Sequence, residues 1–182
     1  RGINVGGHRK VPMVELREVV AGCGYTDVVT YIQSGNLVCS VPSGSTPAVA
    51  AQVVEAGILA HFGFDVRVVA RTAGELQSVI DANPFPEAAS APKTLHAAFM
   101  AGTGWAEAIG ELDLAAFAPD TLSVGDGVVY LHVPNGLGRS KLAEKFLSRW
   151  NTKGTDGTTT VRIDGRHVGI GSFASTRILV LA

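Results

Sequence analysis

The segment Asp27-Val-Val-Thr-Tyr-Ile-Gln-Ser-Gly-Asn-Leu-Val-Cys-Ser-Val41 predicts a β-hairpin, and the interpretation of the whole chain depends on it. Residues 27–32 are β-branched and aromatic, which is typical of a strand, and residues 37–41 predict a returning second strand. The four residues between them predict a tight turn, because glycine and asparagine tolerate positive φ. The turn alone explains Gly35 and Asn36, whereas it does not require Gln33.

Helices are predicted on both sides of this hairpin. Pro12 suits the first turn of a helix, since its missing N–H would have no partner there, and apolar residues follow at helical spacing as far as Gly22. Residues 47–62 are rich in alanine and valine and predict a second helix, which Gly57 weakens. Residues 66–70 then predict a strand. The first half is therefore helix, hairpin, helix and strand.

The second half of the chain repeats this order of elements. It predicts a strand, a short helix, a hairpin, a helix and then weak glycine- and threonine-rich strands, at residues 94–100, 104–110, 122–133, 140–150 and beyond 151. One strand placed before Arg1 makes both halves βαββαβ, the split-βαβ or ferredoxin-like unit. We therefore expect an α+β fold with two ferredoxin-like subdomains, antiparallel sheets, and a truncated N-terminus that lacks the first strand.

A connecting segment separates the two predicted subdomains. Thr72-Ala-Gly-Glu75 is a capping box, in which the threonine oxygen and the glutamate carboxylate satisfy backbone N–H groups at a helix start. Asn83-Pro-Phe-Pro86 ends the short helix that follows. The expected division is a first subdomain at 1–71, a connecting helix and loop at 72–93, and a second subdomain with a divergent tail at 94–182.

Composition limits the classes of function. The 182 residues are 46% hydrophobic and 17% charged, which is typical of a globular protein. The net charge of −1 argues against a dedicated nucleic-acid-binding role. Cys23 and Cys39 lack metal-ligand spacing and form no disulfide framework, so reduced thiols in the cytoplasm are expected. No apolar run approaches the length of a membrane span.

Three loops combine glycine with basic or amide side chains and are candidate anion sites. Glycines free the backbone to curve, a following helix offers unpaired N–H groups, and arginine forms two hydrogen bonds to a phosphate or carboxylate. An ordinary strand-to-helix turn with solvated basic residues is the alternative explanation. The predicted anion-binding residues are Arg1, Asn4, Gly6, Gly7, His8, Lys10, Gln33, Asn36, Gly138, Arg139, Ser140 and Lys141.

Catalytic and metal motifs are absent from the sequence. Neither the Walker spacing nor the Gly-x-Ser-x-Gly elbow occurs, and His8 stands where a phosphate-binding loop needs lysine. His96 and His132 are predicted on neighbouring strands, but two ligands are too few for a metal, and surface positions are expected. No catalytic residue, cofactor or metal is assigned. If the protein is an enzyme, His8 or Gln33 is the candidate.

Several of these motifs together resemble the bacterial family called domain of unknown function 1697, over about residues 1–150. They are Arg1-Gly-Ile-Asn-Val-Gly-Gly-His8, Val11-Pro-Met13, Tyr31-Ile-Gln-Ser-Gly-Asn36, Asn83-Pro-Phe85 and Pro134-Asn-Gly-Leu-Gly-Arg-Ser-Lys141. The resemblance implies two ferredoxin-like subdomains and a short strand before Arg1, and it lends no catalytic residue. Family members usually close with Thr-Arg-Asn-Trp-x-Thr-Val, whereas a glycine-rich tail follows Asn151 here. A divergent ending and a reading-frame error both explain that tail.

Two functions of different classes follow from these patterns. The first is binding of a small anion or nucleotide in a cleft formed by the three loops. The alternative is a protein–protein interaction module that uses an exposed sheet face or edge, without catalysis. The oligomeric state and the identity of the ligand stay open at this point.

Overall fold

The computed structural model describes residues 3–4, 10–31, 33, 35–91, 93–100, 105–150, 159–163, 168–169 and 177–181. Helices and sheets are both present, which confirms the α+β class. The chain forms two compact units, one of Arg1–Leu76 with Ser172–Ala182, the other of Gln77–Gly171. The division into 1–71, 72–93 and 94–182 that the sequence indicates stays a prediction.

The helices and strands of the described residues follow the chain in this order. Helices α1 to α5 are Met13–Gly22, Pro47–Phe62, Ala73–Asp81, Trp105–Gly110 and Lys141–Trp150. Strands β1 to β9 are Thr26–Tyr31, Asn36–Ser40, Val68–Thr72, Leu95–Phe99, Thr121–Val124, Val128–His132, Thr159–Ile163, Val168–Gly169 and Arg177–Leu181. Short 3₁₀ helices lie at Pro86–Ser90, Leu114–Phe117 and Leu137–Arg139.

The sheet of the first unit has the strand order β1-β2-β9-β3. The predicted hairpin is confirmed: β1 and β2 are antiparallel, Tyr31 lies opposite Asn36, and Gly35 has a φ of 81°. Strand β9 runs parallel to both β2 and β3, so this sheet is mixed rather than purely antiparallel as expected. The tail strand reads Arg-Ile-Leu-Val-Leu, and such an apolar run suits a central strand with neighbours on both sides.

Helices α1 and α2 pack on one face of this sheet. Leu16 and Val20 of α1 and Val54 and Ile58 of α2 are fully buried in one cluster. A Cβ at Gly57 would lie 2.9 Å from Cys23 Sγ and 3.2 Å from Val19 Cγ1. The glycine that lowers helix propensity in α2 therefore allows the close approach of α1.

The sheet of the second unit is antiparallel throughout, in the order β5-β6-β4-β7-β8. Leu142 and Phe146 of α5 are fully buried against Ala98 and Leu131 of this sheet. Tyr130 donates its hydroxyl hydrogen to the carbonyl of Val79 at 2.9 Å. All five residues of β4 are buried, so this strand is covered on both faces.

The predicted capping box is also confirmed. The Thr72 N–H donates to Glu75 Oε2 at 2.6 Å, and the Glu75 N–H donates to Thr72 Oγ1 at 3.1 Å. These reciprocal bonds satisfy backbone N–H groups that a helix start leaves unpaired. Helix α3 therefore begins directly after β3, which continues to Thr72 rather than ending at the predicted residue 70.

Candidate functional site: the Asn4 junction

Asn4 joins two of the three predicted loops. Its side-chain Nδ2 donates to the carbonyl of Val11 at 2.8 Å and to the carbonyl of Gln33 at 2.9 Å. Its Oδ1 accepts from the Val11 N–H at 2.9 Å. The amide thus closes the segment between residues 4 and 11 and attaches it to the β1–β2 turn. We call Asn4, Val11 and Gln33 the Asn4 junction.

The backbone at Asn4 explains why asparagine occupies this position. Its φ of 57° lies in the left-handed region, which asparagine enters more readily than most residues. Ile3 and Val11, at the two ends of the loop, are 4% and 0% exposed and belong to the core of the first unit. Both ends are therefore held by apolar packing, and Asn4 fixes the distance between them.

Gly6, Gly7, His8, Arg9 and Lys10 lie between these anchors in the sequence, whereas Arg1 precedes them. Lys10 is exposed, and Pro12 directly precedes α1. Arg1, Gly6, Gly7 and His8, which the sequence also predicted as anion ligands, lie outside the described residues. Their ligand role stays a prediction.

The turn contributes a backbone group and two amide side chains of different exposure. Gln33 is exposed, and its carbonyl is the acceptor for Asn4. Asn36, at the start of β2, is 2% exposed. Of the two predicted ligands in this turn, Gln33 is therefore open to solvent, whereas Asn36 is enclosed by protein.

The third predicted loop lies in the second unit, and the hydrogen bonds of its serine are made to the first turn of α5. Ser140 is 5% exposed; its Oγ accepts the Ala143 N–H at 2.9 Å, and its carbonyl accepts the Glu144 N–H at 3.0 Å. Ser140 thus caps α5. Arg139 and Lys141 are exposed on either side of it. The predicted cleft shared by all three loops stays a prediction.

Glycine is required at one position of this loop and not at another. Gly136 has a φ of 85° and a ψ of 149°, a conformation that side chains with a Cβ rarely adopt. A Cβ at Gly138, one of the predicted ligand positions, would meet nothing within 4 Å. The backbone therefore demands glycine at 136, which the sequence prediction did not single out.

The histidine positions correct one expectation. His96 was predicted at the surface but is 4% exposed, because β4 is covered on both faces, and its Nε2 lies 3.2 Å from the Lys93 carbonyl. His132 lies on the neighbouring strand with its ring centroid 5.5 Å from that of Phe85. Within the described ranges, no group of three or more His, Cys, Asp or Glu residues could hold a metal ion.

The two thiols are not activated. Burial raises the pKa of Cys39 to about 11, and burial also raises the pKa of Cys23. Both are free cysteines. Since the thiolate is the nucleophilic form, a raised pKa makes both poor nucleophiles at neutral pH.

An exposed apolar surface beside the junction was missed by the sequence analysis. Val29, Tyr31 and Val38 are 62%, 58% and 36% exposed on the hairpin. The alternation of burial along β1 puts Val29 and Tyr31 on one face, and Val38 lies opposite Val29. The alternation of side chains along β1 could have indicated two faces of the hairpin from the sequence. Which of these faces is covered depends on the packing of α1 and α2.

Comparison with known proteins identifies the family. The family model described as protein of unknown function (DUF1697) matches residues 1–130. The chain belongs to this family. The predicted resemblance is therefore confirmed, and the Asn4 junction and the hairpin both lie within the matched region.

A solved structure shares the fold of this family member. It is that of a conserved bacterial protein from Streptococcus pneumoniae, with a TM-score of 0.63 and 21% sequence identity. The similarity covers 89% of this chain and 88% of the other. No curated protein matches the chain. Among the described helices, none has the length and apolar character needed to cross a membrane.

Proposed function

We propose that this protein binds a small anion, such as a phosphorylated metabolite, at the Asn4 junction. The observation that carries the proposal is the set of three hydrogen bonds from Asn4, which attach the first loop to the Gln33 turn. The loop sequence between the anchors contains two glycines and the run His8-Arg9-Lys10. A loop held at both ends and rich in glycine and positive charge is suited to an anion.

Asn4 has a positioning role in this proposal. Both hydrogens of its amide already donate to backbone carbonyls, so they are not available to a ligand. The anion is instead held by basic side chains of the loop, such as that of Lys10. Arg139 and Lys141 stay predicted anion ligands within the second unit.

The order of the strands supports the interpretation of the first and third loops as strand-to-helix connections. In the second unit, the order β5-β6-β4-β7 with antiparallel pairing supports a split-βαβ unit. In the first unit, β9 occupies the position between β2 and β3 that the first strand of such a unit would fill. We also propose that the chain forms two ferredoxin-like subdomains, with the boundaries expected from the sequence. We further propose that it is a cytoplasmic bacterial protein.

A thermal-shift titration with inorganic phosphate, pyrophosphate and triphosphate tests the anion site. We expect the melting temperature to rise with triphosphate in the wild-type chain, because a ligand that binds only the folded state stabilises it. Asn4→Ala should weaken that binding about tenfold or more, since loss of preorganisation costs affinity.

The matched control is Asn83→Ala, which removes a similar pair of side-chain hydrogen bonds to the backbone in the second unit. Asn83 accepts from the Phe85 N–H at 3.0 Å and donates to the Phe85 carbonyl at 3.2 Å. Its loss should leave triphosphate affinity unchanged. If no anion shifts the melting temperature of the wild-type chain, the proposed function is wrong.

A protein-interaction module is the second candidate, and the exposure of Val29 on the outer strand β1 favours it. An edge strand with apolar side chains is a template for pairing with another chain. Sedimentation velocity of the wild type and of Val29→Lys tests it. A dimer in the wild type that dissociates in the variant would support this candidate, and a monomer at all concentrations would contradict self-association.

A further inference from the structure

Strand β3 lies at one side of the first sheet, and its outward-pointing backbone groups are bonded to side chains. The order β1-β2-β9-β3 gives β3 a neighbour on one side only among the described strands. The other side, here called the outer edge of β3, is the kind of edge to which a second chain can add a strand through backbone N–H and C=O groups. Whether this edge is open therefore decides whether the sheet can extend there.

Two N–H groups of the outer edge donate to carboxylates of the same chain. The Val68 N–H donates to Glu55 Oε1 of α2 at 2.7 Å, and the Thr72 N–H donates to Glu75 Oε2 at 2.6 Å. Backbone groups point to opposite sides of a strand from one residue to the next, so residues four apart point to the same side. Because both partners are side chains and not β9, that side is the outer edge.

The carbonyl that lies between these two N–H groups also has a charged partner. Ala70 accepts from Arg71 Nη1 at 2.7 Å. Burial lowers the pKa of Arg71, and the charge of Glu75 opposes that shift, so the guanidinium and the carboxylate interact. Glu55 is held in turn by Arg67, whose Nη1 lies 3.7 Å from Glu55 Oε2. The outer edge of β3 is thus lined by a carboxylate, a guanidinium and a second carboxylate.

We propose that Glu55, Arg71 and Glu75 close the outer edge of β3 and prevent a second copy of this chain from adding a strand there. Strand addition would take the Val68 and Thr72 N–H groups from their carboxylates and would leave charged groups buried without donors, which is unfavourable. Charged side chains are a common protection of outer strands. This inference is independent of the proposed anion site, since none of its residues is a predicted anion ligand.

Sedimentation velocity of the full chain over a range of concentrations tests the inference. All variants also carry Val29→Lys, so that association through β1 does not contribute. Glu55→Ala combined with Glu75→Ala should self-associate, and each freed N–H that finds a carbonyl in the second copy should tighten association about tenfold. Glu55→Gln combined with Glu75→Gln keeps an acceptor oxygen at both positions and should stay monomeric.

Glu18→Ala is the control for the loss of a negative charge, because Glu18 is exposed on α1. It should stay monomeric. Hydrogen exchange locates the contact, since the Val68 amide should become more protected as the alanine variant associates. If the double alanine variant does not fold, Glu55→Ala alone should still associate, but more weakly.

Three results would overturn the inference. The first is a folded alanine variant that stays monomeric at all concentrations. The second is a glutamine variant that associates as tightly as the alanine variant, because the hydrogen bonds would then not be what closes the edge. The third is association without added protection of the Val68 amide, which would place the contact elsewhere.

Discussion

The loop of residues 4–11, which the Asn4 junction closes, and the loop of residues 136–141, here called the Ser140 loop, have similar compositions but use their polar side chains differently. Both combine glycine and basic residues before a helix. Ser140 bonds to a backbone N–H three residues away and caps its own helix. Asn4 bonds to backbone groups seven and twenty-nine residues away and so links separate segments. A local cap therefore needs only its own helix, whereas a junction exists only after the hairpin has formed.

Removal of the Asn4 side chain should give the largest effect. We expect Asn4→Ala to lower the free energy of unfolding of the first unit by about 3 kcal/mol, from lost hydrogen bonds to partly buried backbone groups and from alanine in the left-handed region. Hydrogen exchange of the α1 and β2 amides measures it. Asn4→Asp keeps the acceptor for the Val11 N–H and should lose about half as much.

An effect of Asn4→Ala on α1 distinguishes a junction between separate segments from a simple turn. The two tryptophans, Trp105 and Trp150, both belong to the second unit, so their fluorescence reports that unit. A loss of protection in α1 without a matching change in tryptophan unfolding would support the junction. Unchanged protection in Asn4→Ala would contradict it.

Substitution of one glycine in the Ser140 loop should lower the free energy of unfolding by an intermediate amount. Gly136→Ala should cost about 2 kcal/mol, because its backbone conformation is nearly restricted to glycine. Gly138→Ala should be neutral or slightly stabilising, since nothing lies within 4 Å of the added Cβ. Urea denaturation followed by tryptophan fluorescence compares the two variants. Equal destabilisation would show that the loop needs glycine for another reason.

Alkaline pH should weaken the first unit more than the second. Burial raises the pKa of Cys39 from 9.0 to about 11, so its contribution is fully present below pH 9 and is lost as pH rises through the folded-state value. The expected loss between pH 8 and pH 10 is about 1 kcal/mol. Comparison of hydrogen-exchange protection in wild type and Cys39→Ala at the two pH values isolates the contribution of this thiol. A wild-type loss that persists unchanged in Cys39→Ala would have another origin.

The smallest expected effect is that of the helix cap. Ser140→Ala should lower the stability of the second unit by about 1 kcal/mol, since the Ala143 N–H loses its partner. Ser148→Ala is the control, because that exposed serine donates to a carbonyl of its own helix and caps no backbone N–H of the first turn. Urea midpoints measured by tryptophan fluorescence should shift for the first variant and stay within error for the second.

Local elements were predictable where their signals are confined to a few residues. The hairpin, the capping box at Thr72 and helix α2 follow from turn residues, cap residues and periodicity. The burial of His96 was not predictable, because alternation along a strand shows two faces but not which of them is covered. The placement of β9 in the first sheet depends on pairing across more than a hundred residues.

The sequence by itself determined the α+β class, the order of most elements, the family and the loops where a ligand is expected. Only the tertiary structure decided that Asn4 connects its loop to the carbonyl of Gln33 and that Tyr31 is exposed beside it. The physical reason is that caps and turns are satisfied by neighbours in the chain. Junctions and covered faces depend on which distant segments pack together.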